Sequence, residues 1–393
     1  MSKESLSIAD TRFVEPPVPN VFSDPTAKAE LFSAGHYEKL GREVVARLPN
    51  YKQKYKSLME TDQTEFVLGL LAHYRFPNGD RIKQVVEIGV YNGVNSLYML
   101  KTGCSAAADF QLYGIDLGDT DFFGGAAIAE STPDELAHYH LHRACTALDV
   151  EKVLGEHNAG GGGVDLLFVD AGHSHPFPLI DLVCLLPFLR RDAIVLLHDV
   201  VDYMRPNAWG ESFIYVGWTA NKYRAKYLDG NNQIVGESSL GVIEIPEKPA
   251  FLHQNLLTLA GLPWRATPWQ NSPVFPLDEN DLIRLRELLL KHYAPDFANE
   301  LVDKLAAQLA VYNQWALLSW HETRFFNWLF EQECATATRN GFSRNGFYRS
   351  QIRRSLFSVK IRRDWWNVSF LGLQVGSRVF ADRPAWLRVK IGK

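Results

Sequence analysis

Two apolar runs of the sequence end in acidic and imidazole side chains. The first ends in Asp170, with His173 three residues further along, and the second ends in the pair His198 and Asp199. Imidazole changes charge near neutral pH and serves as a general base, whereas carboxylates accept protons or bind hard cations. This spacing predicts a site for proton transfer, or for a divalent cation, where two strands end.

His173 is the first candidate for the general base, and His198 and Asp199 are the second candidates. The alternative is that His173 only caps the helix that follows it. His175, which precedes Pro176, is expected to be exposed and to take no part in the chemistry.

The aspartates offer a different chemistry. Asp170 and Asp199, joined by Asp202, would give Mg²⁺ the oxygen ligands that it prefers. The alternative is that these carboxylates have structural roles and bind no metal.

The glycine-containing turn after residue 88 indicates a ligand site. Gly89 permits close approach of a ligand to the backbone, and Gly93 allows the next helix to begin nearby. Glu87 stands where the dinucleotide fingerprint G-x-G-x-x-G has its first glycine, which argues against a nicotinamide or flavin cofactor. Asp116 could accept hydrogen bonds from both ribose hydroxyls of a nucleoside. The alternatives are an ordinary strand-to-helix turn and a capping aspartate.

Four apolar runs bounded by turn residues predict strands that are buried on both faces. They are residues 84–89, 112–116, 164–170 and 193–199. Helical spacing separates them at residues 95–101, 133–140 and 176–189. This alternation predicts a doubly wound, mostly parallel α/β sheet with right-handed crossovers.

Weaker patterns extend this prediction at both ends. Residues 139–144 and 239–245 are further strand candidates, and two helices at 26–48 and 55–74 precede the sheet. Residues 278–330 return to helical spacing.

The motifs VVEIGVYNG, YGID, LLFVDAGHSH and IVLLHDV together resemble the class I S-adenosylmethionine-dependent methyltransferases. The resemblance spans about residues 84–245 and is strongest to the branch with D-x-x-H and H-D at two strand ends, which includes O-methyltransferases of sugars and natural products. It implies a Rossmann-like fold with S-adenosylmethionine as cofactor. Two departures concern the acceptor side: Arg191-Asp192-Ala193 replaces Pro-Gly-Gly, and His175-Pro176 stands near the position of a usual tyrosine.

The resemblance also implies roles for individual positions. Asp116 would hold the ribose, Cys145 would lie near the adenine, and Asp170 would face the sulfonium and the acceptor. The residues that would hold the methionine part are Glu87, Gly89, Val90, Tyr91 and Gly93.

The bulk composition indicates a globular chain of several parts. Its 393 residues include four cysteines and no C-x-x-C pair, and no segment has the apolar length of a membrane span, so we expect a cytoplasmic protein. The expected parts are an N-terminal arm with helices at 1–80, the cofactor domain at 81–246, a Pro-rich linker or lid at 247–277, a helical region at 278–338 and a tail at 339–393.

The tail differs sharply in charge from the rest. Residues 339–393 hold 13 Lys and Arg against two acidic residues, together with nine aromatic residues, whereas the remainder has 28 basic and 43 acidic residues. One interpretation is that the tail neutralises and packs on the acidic body. The others are contact with an anionic membrane surface or a lipid-linked glycan, or another partner, while binding to nucleic acid lacks a supporting motif.

The sequence therefore predicts a methyltransferase that modifies a hydroxyl of a sugar-containing or other small polar acceptor. The rivals are a nicotinamide-dependent oxidoreductase and a non-catalytic scaffold with the same fold. The sequence does not predict the oligomeric state.

Overall fold

A computed structural model describes residues 25–57, 59–155, 163–200, 210–246, 248–264 and 277–312, together with the backbone of four strands between residues 357 and 391. The predicted N-terminal arm and Asp202 lie outside these residues. No helix in the described ranges has the length and apolarity required to cross a bilayer.

A seven-stranded sheet forms the centre of the molecule, in the order β3-β2-β1-β4-β5-β7-β6. Its strands are β1 Gln84–Ile88, β2 Gln111–Ile115, β3 Tyr139–His142, β4 Val164–Val169, β5 Leu189–Leu197, β6 Lys222–Leu228 and β7 Ile234–Glu244. The first five pair in parallel, which confirms the predicted doubly wound, mostly parallel sheet.

The sheet ends in two antiparallel pairings. β7 pairs antiparallel with β5 and with β6. Sequence analysis missed β6, because its Lys222-Tyr-Arg-Ala-Lys-Tyr-Leu228 pattern alternates charged and apolar residues and is not a continuous apolar run. β5 also begins four residues earlier than expected, at Leu189.

The helices cover both faces of the sheet and differ from the prediction in detail. They are α1 Pro25–Ser33, α2 His36–Val45, α3 Tyr51–Tyr55, α4 Thr61–His73, α5 Val94–Ala106, α6 Gly125–Glu130, α7 Pro133–Leu136, α8 Val150–Leu154, α9 Phe177–Leu185 and α10 Gly210–Gly217. Four N-terminal helices replace the two expected, since Gly35 and Pro49-Asn50 end the helical pattern. The helix expected over 133–140 is a single turn followed by β3.

Alternation along the central strands builds a core on each side of the sheet. In β4, Leu167 and Val169 belong to one buried cluster, while Leu166 and Phe168 belong to the other. Successive strand residues face opposite sides, so a run that is apolar throughout requires a cover on both faces. α9 belongs to the first cluster and α4 and α5 to the second, which makes the N-terminal helices part of the cofactor domain's core.

The C-terminal third begins with helices. α11 Pro249–Ala260 lies within the segment predicted to be a linker or lid, and α12 Glu279–His292 begins the predicted helical region, where residues 295–312 are also helical.

The tail is not helical in its described parts. β8 Phe357–Arg362, β9 Trp365–Phe370, β10 Leu373–Arg378 and β11 Arg388–Ile391 form an antiparallel sheet in the order β11-β10-β9-β8. No strand was predicted there. The side chains of the proposed basic aromatic surface lie outside the described residues.

The carboxyl ends of the parallel strands meet in register. Gly89 donates its backbone N–H to Ile115 O at 2.9 Å, and Asp170 donates to Ile88 O at 2.9 Å. His198 donates to Val169 O at 3.1 Å. The residues that follow β1, β2, β4 and β5 therefore lie at one edge of the sheet, where open α/β folds bind ligands.

Candidate functional site

Two glycines allow the turn after β1 to pass close to neighbouring backbone. Gly89 has φ of 91°, and a Cβ there would lie 2.0 Å from Asp170 O. Gly93 has φ of 80°, and a Cβ there would lie 2.6 Å from Gly124 Cα. Only glycine fits both conformations without moving backbone.

Asp116 organises this turn from the end of β2. Its Oδ2 accepts the backbone N–H groups of Val90 at 2.9 Å and Tyr91 at 2.8 Å, and its Oδ1 accepts that of Gly118 at 2.7 Å. Cys145 donates its backbone N–H to Asp116 O at 3.1 Å. The structure thus brings together the predicted ribose and adenine positions. It also gives Asp116 a role that the sequence did not indicate, since its carboxylate holds the ligand turn.

Apolar side chains stand exposed beside this turn. Tyr91 is 42% exposed and has a φ of 50°, and its ring lies 5.0 Å from that of Phe122. Leu117 is 72% exposed directly after Asp116. Sequence analysis did not single out Leu117 or Phe122, and the position after the strand-end aspartate was the available signal.

Glu87 lies beneath the turn and not on its surface. Its side chain is fully buried, and it accepts a hydrogen bond from Ser96 Oγ. Burial raises the pKa of Glu87 well above its usual value. Its predicted contact with the methionine part of the cofactor stays a prediction.

His198 lies between the two strand-end aspartates. Its Nδ1 is 3.0 Å from Asp170 Oδ1 and 3.4 Å from Asp199 Oδ1. These are ion-pair contacts, because the ring N–H is not aligned for a hydrogen bond with either oxygen. Burial lowers the pKa of His198, but the carboxylates of Asp170 and Asp199 outweigh it and raise that pKa well above its usual value.

A residue of α4 completes the surroundings of His198. Gln63 Oε1 lies 3.2 Å from His198 Nε2 and accepts the backbone N–H of Glu60 at 2.7 Å. Gln63 Nε2 donates to Ser239 Oγ at 2.6 Å. These two partners fix the amide orientation, so His198 Nε2 is the donor toward Gln63. Sequence analysis missed Gln63, which showed there only as part of a helical pattern.

His173 lies at the same edge and pairs with a buried acid. Its Nδ1 is 2.9 Å from Glu211 Oε1, and its Nε2 is 3.9 Å from Asp199 Oδ2. Burial lowers the pKa of His173, but Glu211, Asp170 and Asp199 outweigh it and raise that pKa to about 9. The histidine predicted as base therefore carries a proton at neutral pH in this structure.

One prediction about this region is wrong. His175 was expected to be exposed, but it is completely buried, and its ring lies 5.4 Å from that of Phe213. The segment after β4 turns inward beneath α10, which a sequence pattern of polar residues does not reveal.

The predicted cation ligands are only partly described. Asp170 and Asp199 direct one oxygen each toward the same atom of His198, so they converge on one point. Within the described ranges no three acidic, histidine or cysteine side chains form a metal-binding group, and Asp202 lies outside these ranges. Carboxylate oxygens are the ligands that Mg²⁺ prefers, but His198 Nδ1 stands at the point on which these two converge.

Comparison with known proteins found one family model that matches part of the chain. Residues 86–200 match a family model described as a methyltransferase domain. Among solved structures, the O-methyltransferase TomG from Streptomyces achromogenes, in complex with SAM, is similar at 19% identity over 53% of this chain and 98% of that chain, with a TM-score of 0.32. MycE from the mycinamycin pathway, in complex with Mg and SAH, is similar at 17% identity over 53% of this chain and 60% of that chain, with a TM-score of 0.30. No curated protein matches the chain in sequence.

The matched residues contain most of the ligand edge. They include the glycine turn, Asp116, Asp170, His173 and the pair His198–Asp199, and the order and direction of the surrounding strands follow the doubly wound pattern. The match to a methyltransferase domain and the polar groups at the ends of β1, β2, β4 and β5 therefore fall in the same segment, residues 86–200.

Proposed function

We propose that this domain transfers a methyl group from S-adenosylmethionine to a hydroxyl of a sugar-containing or other small polar acceptor. The observation that supports the acceptor chemistry is the pair formed by His173 and the buried Glu211, 2.9 Å apart beside two strand-end aspartates. A hydroxyl is a poor nucleophile at neutral pH, and a positioned imidazole supplies the base that it needs.

The cofactor would lie against the turn after β1. Gly89 and Gly93 leave room for it, and Asp116 retains acceptor capacity for ribose hydroxyls beside its three backbone partners. The exposed Tyr91 and Leu117 would supply apolar surface for the nucleoside beside this turn. The positive sulfonium would face the carboxylate of Asp170.

The positive charge of the cofactor would favour the neutral form of His173. Three carboxylates raise its pKa to about 9, and a cation near Asp170 offsets part of their potential. A neutral imidazole at His173 would take the acceptor proton through Nε2, and the bound cofactor would supply the methyl group. Alignment of acceptor and methyl supplies much of the rate.

Asp170 and Asp199 would also hold Mg²⁺ in the complete site. A cation there would polarise the acceptor oxygen and hold it near the methyl group. Activity that survives dialysis against EDTA would eliminate this part of the proposal.

Calorimetry and methyl transfer test the function separately. We expect the full-length protein to bind S-adenosylmethionine and its demethylated product, and to transfer radiolabelled methyl to members of a panel of methyl glycosides and catechol. Folded protein that binds neither cofactor form contradicts the proposal. Cofactor binding with no transfer to any acceptor would favour a non-catalytic role.

A further inference from the structure

We propose that Glu211 is the positioning residue of the catalytic base and holds the His173 imidazole with Nε2 directed toward Asp199 at the ligand edge. This inference rests on the proposed function, since it concerns the base of methyl transfer. Glu211 belongs to none of the strand-end motifs and follows a segment that the structure does not describe.

The contact between the two side chains defines the orientation of the ring. Glu211 is completely buried, and its Oε1 lies 2.9 Å from His173 Nδ1. A carboxylate only accepts hydrogen bonds, so Nδ1 keeps its proton in this pair. Nε2 is then the nitrogen that would exchange a proton with the hydroxyl of a substrate at this edge of the sheet.

The first turn of α10 bonds to the loop after β4 and to the loop after β5. Gly210 donates its backbone N–H to His173 O at 2.6 Å, and Ser212 Oγ donates to Asp199 O at 2.7 Å. A Cβ at Gly210 would lie 2.7 Å from Pro178 Cδ, so the glycine permits this close approach. Gly210, Glu211 and Ser212 thus fix the loops after β4 and β5 relative to each other.

The burial of Glu211 argues that its charge has a specific partner. Burial raises the pKa of Glu211, and the contact with His173 offsets part of that effect. An isolated buried carboxylate is strongly disfavoured, whereas one paired with an imidazolium is tolerated. The two groups therefore stabilise each other's charged forms, and loss of Glu211 would free the ring.

The first test is Glu211→Gln in the full-length protein, assayed with radiolabelled S-adenosylmethionine and the same acceptor panel. The amide can donate to Nδ1 and so select the wrong tautomer. We expect kcat to fall roughly 10²-fold or more, the size of a general-base contribution, while cofactor Kd and acceptor KM change less than about twofold. Glu211→Asp keeps the carboxylate and should recover part of the loss.

A double variant separates positioning from a general effect on structure. Because Glu211 acts through His173, adding Glu211→Gln to His173→Ala should cause no further loss of kcat. Glu38→Gln is the matched control, since Glu38 is also fully buried but bonds to the backbone N–H of Lys226 in β6. The control should retain wild-type kcat.

The outcomes distinguish this inference from the proposed function. Wild-type turnover with Glu211→Gln, or additive losses in the double variant, overturns the role of Glu211 and leaves the methyltransferase proposal intact. If the wild type transfers methyl to no acceptor, the proposed function fails, and nitrogen NMR of His173 decides the geometry. Loss of the Nδ1–H signature in folded Glu211→Gln would support it, and an unchanged signature would refute it.

Discussion

At the scale of single residues, the polar groups at the ligand edge fall into two sets. Asp116 bonds to backbone N–H groups and so shapes the turn that would receive the cofactor. His173 and His198 contact the two aspartates beside them, which raises the pKa of each histidine. The first set would bind, and the second would move protons.

Replacing Asp116 by Asn should weaken cofactor binding. The amide offers one acceptor oxygen in place of two, so at least one backbone N–H of the turn loses its partner, and the proposed ribose contact would be weakened. We expect the Kd for S-adenosylmethionine, measured by calorimetry, to rise about tenfold or more. Asp119→Asn on the same loop is the control, and an unchanged Kd for Asp116→Asn would contradict the assignment.

Asp181 in α9 should make stability depend on pH. Burial and the nearby Glu211 raise the pKa of Asp181 to about 8 from 3.8. The folded state then binds more protons than the unfolded state between about pH 4 and pH 8, so stability falls as pH rises through this window. Asp181→Asn should be more stable than wild type by roughly 5 kcal/mol at pH 8.5 and by only about 1–2 kcal/mol at pH 5, measured by urea denaturation.

Asp165 is a second buried aspartate, and its replacement is the comparison for Asp181→Asn. Asp165 accepts backbone N–H groups of Lys83 at 2.7 Å and Gln84 at 2.9 Å and pairs with Arg190 at 3.0 Å. Asp165→Asn should therefore destabilise the protein at both pH values. The same response to pH in both variants would contradict the assignment of the pH dependence to the Asp181 carboxyl.

At the scale of elements, α2 and α4 cross with their backbones almost in contact. A Cβ at Gly41 would lie 1.6 Å from Glu65 O, and one at Gly69 would lie 1.9 Å from Tyr37 O. This close approach seats α4 on the sheet, and α4 carries Gln63 to His198. The spacing of two helices thus sets the position of a side chain at the site.

Gly69→Ala should test this crossing. The added methyl must push the two backbones apart, which we expect to cost about 3 kcal/mol or more of unfolding free energy. Gly125→Ala is the matched control, because a Cβ there meets nothing within 4 Å, and its stability should match that of the wild type. Chemical denaturation of both variants gives the comparison, and an equally stable Gly69→Ala would disprove the close crossing.

At the scale of the whole molecule, Arg42 is one of the side chains that join the N-terminal helices to the antiparallel end of the sheet. Arg42 in α2 pairs with Glu65 in α4 at 3.1 Å. It also donates to the carbonyls of Leu228 and Asp229 and to Asn232 Oδ1 in the β6–β7 hairpin. We therefore expect these residues, which lie far apart in the chain, to unfold together with the sheet as one cooperative unit.

Arg42→Met should lower the stability of this unit as a whole. It leaves Glu65, whose side chain is 7% exposed, without its cation, and we expect a loss of roughly 3 kcal/mol in a single unfolding transition. Arg286→Met removes a surface pair with Asp303 and should cost less than about 1 kcal/mol. Separate urea-unfolding transitions for the N-terminal helices and for the sheet would contradict the expectation that they unfold together.

The sequence by itself determined the parallel strands and where they end. Their apolar runs and the polar residues that follow are local signals, so Asp116, Asp170, His173 and the His198–Asp199 pair could be placed at one edge before any contact was known. The β6 edge strand and the strands of the tail lack such runs, and their pairing depends on partners elsewhere in the chain.

The tertiary structure alone decided which groups surround the two histidines. Gln63 meets His198 across 135 residues of sequence, and Glu211 meets His173 across 38. The burial of His175 likewise depends on α10, which lies over it. No spacing rule encodes such contacts, because they arise only when helices pack on the sheet and bring distant side chains to the same edge.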